Sequence, residues 1–351
     1  MNTFDRFSEH AEATRLLDAA LREGPAHAYL FYGPAGVGKR EVARAFARAL
    51  LGTEREFHPD LYELDALGEM IRIDAIRELR RDLHMRPFEA DRRVYLIQRA
   101  HLMNEDAADA LLKDLEEPPP YAVIVLIADD LGSLSETIRS RCQPIPFRRL
   151  SERTVRELVD ARAPQLGEDE RAALARVSAG RLDRLERLLE PASRARRDEL
   201  LEQARAPYVV QGFDAADAAA VVVANAEARG LEARQIEEAR IAELDLPARE
   251  AEQRVRRAAR GAEREELLAQ LEELAAWYRD LVAVAVGAEE AAIHLDKLPA
   301  LREDATRERL VGAERSAEAV RELWRRLEEF NLAPQLALEA LFVQIGRELA
   351  A

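Results

Sequence analysis

The chain is short of cysteine, aromatic residues, positive charge and long apolar runs, and each shortage excludes something. A single cysteine, Cys142, among 351 residues rules out an intramolecular disulfide and any zinc site built from several thiolates. The six histidines, at positions 10, 27, 58, 84, 101 and 294, are scattered with no pair at metal-ligand spacing. The longest strongly apolar run, Tyr121 to Ala128, is far below the ~20 residues that span a bilayer. The amino terminus, MNTFDRFSEH, lacks the charged-then-apolar layout of a secretory signal. These absences point to a soluble, reduced, cytoplasmic protein with no membrane partner. Lys and Arg number 52 against 67 Asp and Glu, leaving a net charge of −15. Such a chain does not coat nucleic acid by itself, because its field repels phosphate.

What is present is helix-forming and globular. Hydrophobic residues make up 48% and charged residues 34%, and Ala, Leu, Glu and Arg dominate. With domains usually running ~100–200 residues, the length calls for two or three of them.

The chain changes character near Leu150. Before it, short apolar runs at Ala28–Tyr32, Asp60–Leu64, Arg93–Ile97, Ala122–Ala128 and Pro144–Phe147 read as five strands. Between them Lys39–Leu51, Ile73–Leu83, Asn104–Glu116 and Ser133–Arg141 carry apolar residues at helical spacing. Asn104 suits an N-cap, and Pro118-Pro119-Pro120 stops the helix before it. Strands alternating with helices predict a mostly parallel sheet covered on both faces. After Leu150 the strands vanish. Ser151–Ala163, Glu168–Ser178, Leu182–Leu189 and Ser193–Ala204 read as short amphipathic helices, with Gly180 and Pro191 as punctuation. An alanine-rich, weakly patterned stretch follows from Pro207 to Leu246. Pro247 is well placed to open a long charged helix, since its missing N–H needs no partner there. Further helices fill Thr306–Phe330 and Pro334–Leu349. The expected division is therefore 1–150, 151–206 and 207–351.

One loop carries recognisable chemistry. Gly33-Pro34-Ala35-Gly36-Val37-Gly38-Lys39-Arg40 follows a strand and opens a helix, the context of a phosphate-binding loop. Glycines turn backbone N–H groups toward phosphate oxygens, the helix N-terminus adds its dipole, and Lys39 adds a charge. The residue after the lysine should be Ser or Thr to ligate Mg²⁺, yet Arg40 stands there and holds no cation. The acidic pair expected at the end of the Arg93–Ile97 strand falls on Gln98 and Arg99, which are neither metal ligand nor base. The next strand ends Ala128-Asp129-Asp130, where a polar sensor such as Thr or Asn is expected near the γ-phosphate, and those aspartates read as turn residues. Hydrolysis by this chain is excluded on three separate counts. Nucleotide binding stays open: Lys39 could touch a phosphate, or Arg40 could reach back into the phosphate position. Ser140-Arg141-Cys142 ends the helix after the fourth strand. Arg141 is either one more solvated arginine or a charge supplied in trans to a partner's bound phosphates.

Taken in order, GPAGVGK, His58-Pro59-Asp60, IRIDAIRELRRDLHMRPFEADRRVYLI, NEDAADALLKDLEEPPP and ETIRSRC resemble the AAA+ clamp-loader family. The resemblance is dense over residues 1–150 and weaker in the following helices. It returns at AAWYRDL (Ala275–Leu281) and NLAPQLALEAL (Asn331–Leu341), and Pro207–Gln270 matches no family segment. It implies a RecA-like AAA+ domain with a parallel five-stranded sheet, an all-α lid over 151–206 and an all-α collar over 207–351. It implies partners too: motor subunits of tau/gamma type and a delta subunit in a hetero-pentameric ring, the sliding clamp, and primer-template DNA through the complex. In that family the arginine of the Ser-Arg-Cys motif reaches the neighbouring subunit's ATP, the place that Arg141 matches. Gly33, Pro34, Gly36, Gly38 and Lys39 match the nucleotide loop, in degenerate form. Many relatives carry a four-cysteine zinc module before the His-Pro-Asp motif; only ALLGTEREF stands there here, so no zinc is expected. No cofactor is required of a chain with its hydrolytic residues gone, and the resemblance favours the stator role over the motor role.

Three smaller signals read plainly. The arginine clusters at 80–81, 92–93, 148–149, 194–197 and 254–260 have acidic neighbours and read as salt-bridged helix faces. Trp277 and Tyr278 sit among Leu274, Leu281 and Val282 at helical spacing and read as core. Cys142 reads as a small buried residue.

Overall fold

The computed structural model describes residues 3–55, 57–65, 70–132, 134–242, 248–330 and 332–349. Ser133, Pro247 and Asn331, on which three of the expectations rest, lie outside them. Contacts divide the chain into two units, Met1–Val155 with Ala179–Leu185, and Arg156–Ser178 with Glu186–Ala351.

The first unit holds a five-stranded sheet: β1 (Ala28–Tyr32), β2 (Leu61–Leu64), β3 (Arg93–Ile97), β4 (Ala122–Ala128) and β5 (Gln143–Pro146). Its order is β2-β3-β4-β1-β5, and every pairing is parallel. The expected architecture is present. Side chains alternate between two buried faces, which explains the unbroken apolar run of β4. Tyr29, Phe31, Val123, Val125 and Ile127 face one core with α1 (Ala11–Glu23) and α2 (Lys39–Leu51). Leu30, Ile124, Leu126 and Ala128 face the other with α3 (Ile73–Leu83), α4 (Glu105–Glu116) and α5 (Glu136–Arg139). Asn104 caps α4 as expected, accepting from the Ala107 N–H at 3.1 Å. Helix α1 is absent from the sequence reading. No side chain caps its start, so the residues before it give no signal.

The His-Pro-Asp motif has a structural task here. Asp60 is buried and accepts the N–H groups of Phe88, Glu89 and Ala90 at 2.7, 2.8 and 2.9 Å. Burial pushes its carboxyl up, but those three bonds and Arg93 outweigh it and hold the group below its ordinary value. The turn that feeds β3 is fixed by this one carboxylate.

Beyond β5 the elements are helical. They are α6 (Glu152–Arg162), α7 (Glu168–Val177), α8 (Leu182–Leu189), α9 (Pro191–Val209), α10 (Ala215–Ile241) and α11 (Ala248–Ala285), followed by α12 (Leu298–Asp304), α13 (Leu310–Glu329) and α14 (Pro334–Leu349). Pro191 is not a break but the first residue of α9, where a proline costs no hydrogen bond. That helix runs past Ala206 to Val209, with Pro207 in its last turn. The stretch that reads as weakly patterned contains α10. The second unit's core gathers Leu200, Leu201 and Ala204 of α9, Val222 of α10, Leu274, Trp277 and Tyr278 of α11, and Phe342 and Ile345 of α14. Trp277 donates to the Tyr208 hydroxyl at 3.0 Å and Tyr278 to the Ala204 carbonyl at 2.9 Å, so both rings are buried with their polar atoms paired.

Candidate functional site

The glycine loop joins the C-terminal end of β1 to α2. Gly33, Gly36 and Gly38 hold φ of +142°, +74° and +91°, which side-chain-bearing residues adopt only under strain. Crowding adds to the requirement. A Cβ on Gly33 would stand 2.0 Å from the Phe147 carbonyl oxygen, and one on Gly36 would stand 2.2 Å from an Asp183 carboxylate oxygen.

Lys39 does not project into open space. Its ammonium donates to the Gly33 and Pro34 carbonyls at 2.7 and 2.6 Å and pairs with Asp129 at 2.7 Å. An ammonium has three donors, so all are spent inside the protein. Asp129, read from sequence as a turn residue, is the lysine's counter-ion; Asp130 does form the turn, accepting from Gly132 N–H at 3.0 Å. His10 Nε2 lies 2.5 Å from the Val37 carbonyl, and burial lowers this imidazole's pKa. Asp183 is the site residue that the sequence reading missed. Its N–H donates to the Gly36 carbonyl at 3.1 Å, and Arg181 grips its carboxylate at 3.2 and 2.9 Å. Nothing local in the sequence ties α8 to a loop so far upstream.

The residues that stand where a hydrolysing loop would carry its Mg²⁺ ligand and base each have partners of their own. Arg40 points to Glu63, at 3.6 Å, and not back into the loop; the same carboxylate takes both bonds of Arg44 at 2.8 Å. Gln98 is buried at the end of β3, and Arg99, at φ +48°, pairs with Asp65 at 2.8 Å.

Arg141 lies between α5 and β5. In the β1–β5 register Tyr29 faces Gln143 and Tyr32 faces Pro146. Arg141 therefore precedes the N-terminal end of the sheet, while Gly33 follows the C-terminal end of β1. At ~3.3 Å per residue, the strand between them sets the two about 15 Å apart along the strand direction. The structure does not bring Arg141 together with the loop residues. Its guanidinium is half-buried, paired with Glu116 and donating to the Thr137 carbonyl at 2.9 Å. The neighbouring Cys142 is buried as expected, and burial pushes its thiol up to about 12.

Known proteins are similar to this chain in sequence and fold. The family described as "DNA polymerase III, delta subunit" matches residues 9–151. DNA polymerase III subunit tau of Bacillus subtilis is 31% identical over 193 residues, 49% of this chain and 34% of that protein. DNA polymerase III subunit delta′ of Pseudomonas aeruginosa is 38% identical over 140 residues, 33% of this chain and 42% of that protein. The chain thus spans less than half the length of these curated relatives. A solved gamma subunit-related protein from Thermotoga maritima superposes with a TM-score of 0.51 over 97% of this chain and 100% of that one; at 19% identity it shows the fold alone. Both the glycine loop and the Ser-Arg-Cys turn fall within the matched residues, and over that span the chain is similar to subunits of DNA polymerase III that bear delta′ and tau/gamma names alike.

Proposed function

We propose that the chain is a delta′-type clamp-loader subunit, a stator that does not hydrolyse ATP and supplies Arg141 to the ATP site of a neighbouring motor subunit. The observation that carries this is the placement of Arg141 at the opposite end of the sheet from its own glycine loop. A guanidinium there cannot serve its own loop, but it can reach a phosphate held by the next subunit of a ring. Arginine suits the task because it keeps its charge and binds phosphate oxygens through a fork. Arg40, Gln98 and Arg99 support the stator side, since none can hold Mg²⁺ or prime water.

The partners of this reading are tau/gamma motor subunits and a delta subunit, with the sliding clamp and primer-template DNA met through the assembled ring in the cytoplasm. The three-part organisation belongs to the same proposal, with residues 207–351 as the collar. Helix α14 supports it: Leu338, Leu341, Phe342 and Ile345 are buried in the unit's own core, whereas Leu336, Ala340 and Val343 stand exposed on another face. An outward apolar stripe suits packing against another subunit. No helix among the described residues is long and apolar enough to cross a membrane.

In a loader reconstituted with motor and delta subunits, Arg141→Ala should lower ATP turnover by ~10³-fold or more at the site it serves while the ring stays assembled on a sizing column. Unchanged turnover and clamp loading would sink the assignment. A second reading, an ATP-hydrolysing motor of tau/gamma type, has the names of relatives such as the Bacillus subtilis tau subunit in its favour. Mg²⁺-dependent hydrolysis by the purified chain would establish it instead.

A further inference from the structure

The family implies a nucleotide on the glycine loop, and the residues around this loop do not fit one. Segment Leu182–Asp183 at the start of α8 lies directly on it. The Asp183 N–H holds the Gly36 carbonyl at 3.1 Å, and the Asp183 carboxylate packs against the Cα of Gly36. Leu182 covers Gly38, its Cδ2 being 3.4 Å from where a Cβ on that glycine would stand. Glu41 Oε2 lies 3.9 Å from the same point on the helix side. Lys39, the loop's own cation, is consumed by two loop carbonyls and Asp129. Three carboxylates, Asp129, Asp183 and Glu41, therefore surround a loop beside which Lys39 and Arg181 are each held by one of them and Arg40 is directed at Glu63.

We propose that Asp183 bars nucleotide from the glycine loop, acting as a clasp that holds α8 against Gly36 where a phosphate chain would otherwise lie. The chemistry is simple. A di- or triphosphate entering the loop would meet a carboxylate where it needs donors, and like charges disfavour it. It would also have to break the Gly36–Asp183 backbone bond. Arg181 completes the clasp, since its fork is directed at Asp183 and is withheld from any phosphate. The clasp makes nucleotide specificity hinge on one side chain and gives the loop a fixed geometry without a ligand.

The test is binding of a fluorescent N-methylanthraniloyl-ATP to the full-length chain, with and without Mg²⁺, followed by anisotropy. The wild type should show no saturable binding up to ~1 mM. Asp183→Ala should bind at least tenfold more tightly, because Arg181 is released toward phosphate and the carboxylate is gone. Lys39→Ala added to Asp183→Ala should abolish the gain, which places the ligand on the loop. Asp183→Asn keeps the shape and guards against misfolding, and circular-dichroism melts confirm that each variant is native. Saturable wild-type binding overturns the proposal. So does a natively folded pair, Asp183→Ala and Asp183→Asn, that gains no affinity. The proposal goes beyond the Arg141 reading: a wild type that binds nucleotide without hydrolysing it would remove the clasp and leave the trans arginine intact.

Discussion

The Arg141 guanidinium is paired with the Glu116 carboxylate at the C-terminal end of α4, and its other terminal nitrogen donates to Thr137. The group proposed to act in trans is therefore held in cis first. It must leave Glu116, or share it, to reach a neighbour's phosphate. A half-exposed pair of this kind is worth about 0.2–1 kcal/mol, which corresponds to about 1.4- to 5-fold in an equilibrium. Glu116→Gln should therefore raise ATP turnover of an assembled loader by up to about fivefold. In an Arg141→Ala background the same substitution should change nothing, since the two act as one unit. Steady-state hydrolysis by the four combinations checks this. Lowered turnover in Glu116→Gln would mean that the glutamate aims the arginine rather than restrains it.

Gly33 and Gly52 share positive φ but differ in what surrounds them. At Gly33 an added methyl would meet the Phe147 carbonyl oxygen, and Phe147 is itself tied to β1 by its N–H to Tyr32 at 2.8 Å. Neither backbone can give way without breaking the β1–β5 edge. At Gly52, φ +65°, a methyl meets open space. Gly33→Ala should cost about 3 kcal/mol or more by combining backbone strain with the clash. Gly52→Ala should cost only the conformational term of about 1–2 kcal/mol. Urea unfolding of both variants measures the difference, and equal costs would refute the crowding at Gly33.

The inner strands β1, β3 and β4 were legible because their side chains alternate between two buried faces, so that runs such as Ala122–Ala128 stand out from their charged surroundings. The loop was legible because only glycine tolerates its backbone. Helix α10 was not. Its buried Ala218, Ala219, Val222 and Ala226 are matched by exposed Ala220, Ala224 and Ala228, so no periodic contrast marks the inner face. The pairings that define the site were equally hidden. Lys39 with Asp129, Gly36 with Asp183 and Arg141 with Glu116 all join residues from different elements. Sequence supplied the residue types and their local geometry; which charge meets which was settled by the order of strands in the sheet and by the path of α8.

A buried charge cluster in the second unit sets a pH dependence. His294 is fully buried, with Nδ1 2.8 Å from Asp280 Oδ2 and Nε2 3.4 Å from Glu273 Oε1. Asp280 also accepts the N–H groups of Ile293 and His294 at 2.8 Å. Arg197 closes the far side, reaching Glu273 at 2.6 Å and Asp296 at 2.7 and 3.1 Å. Burial alone would lower the His294 pKa, but the bond to Asp280 and the nearby Glu273 carboxylate outweigh it and raise the group above its ordinary ~6.5. Burial likewise pushes Asp280 up, and the bonds from His294 and the backbone pull it below its ordinary value. A raised histidine contributes stability that is fully present below ~6.5 and is lost as pH rises through its folded pKa. The lowered aspartate contributes above ~3.8 and is lost as pH falls through its folded value. The second unit should therefore be firmest between about pH 4 and 6.5 and weaken on the alkaline side, at about 1.4 kcal/mol for each tenfold gain in the imidazole's proton affinity. His10 and His101, in the first unit, are both lowered by burial and act in the opposite sense there. The two effects can be separated because both tryptophans, Trp277 and Trp324, belong to the second unit, and Trp277 lies edge-on to the His294 ring. Urea unfolding followed by tryptophan fluorescence should give a lower midpoint at about pH 8.5 than at about pH 6 for the wild type. His294→Gln should start lower, by about 3 kcal/mol, and lose most of that alkaline slope. A wild type equally firm at both pH values would mean that His294 is neutral in the fold, with Arg197 alone balancing the cluster.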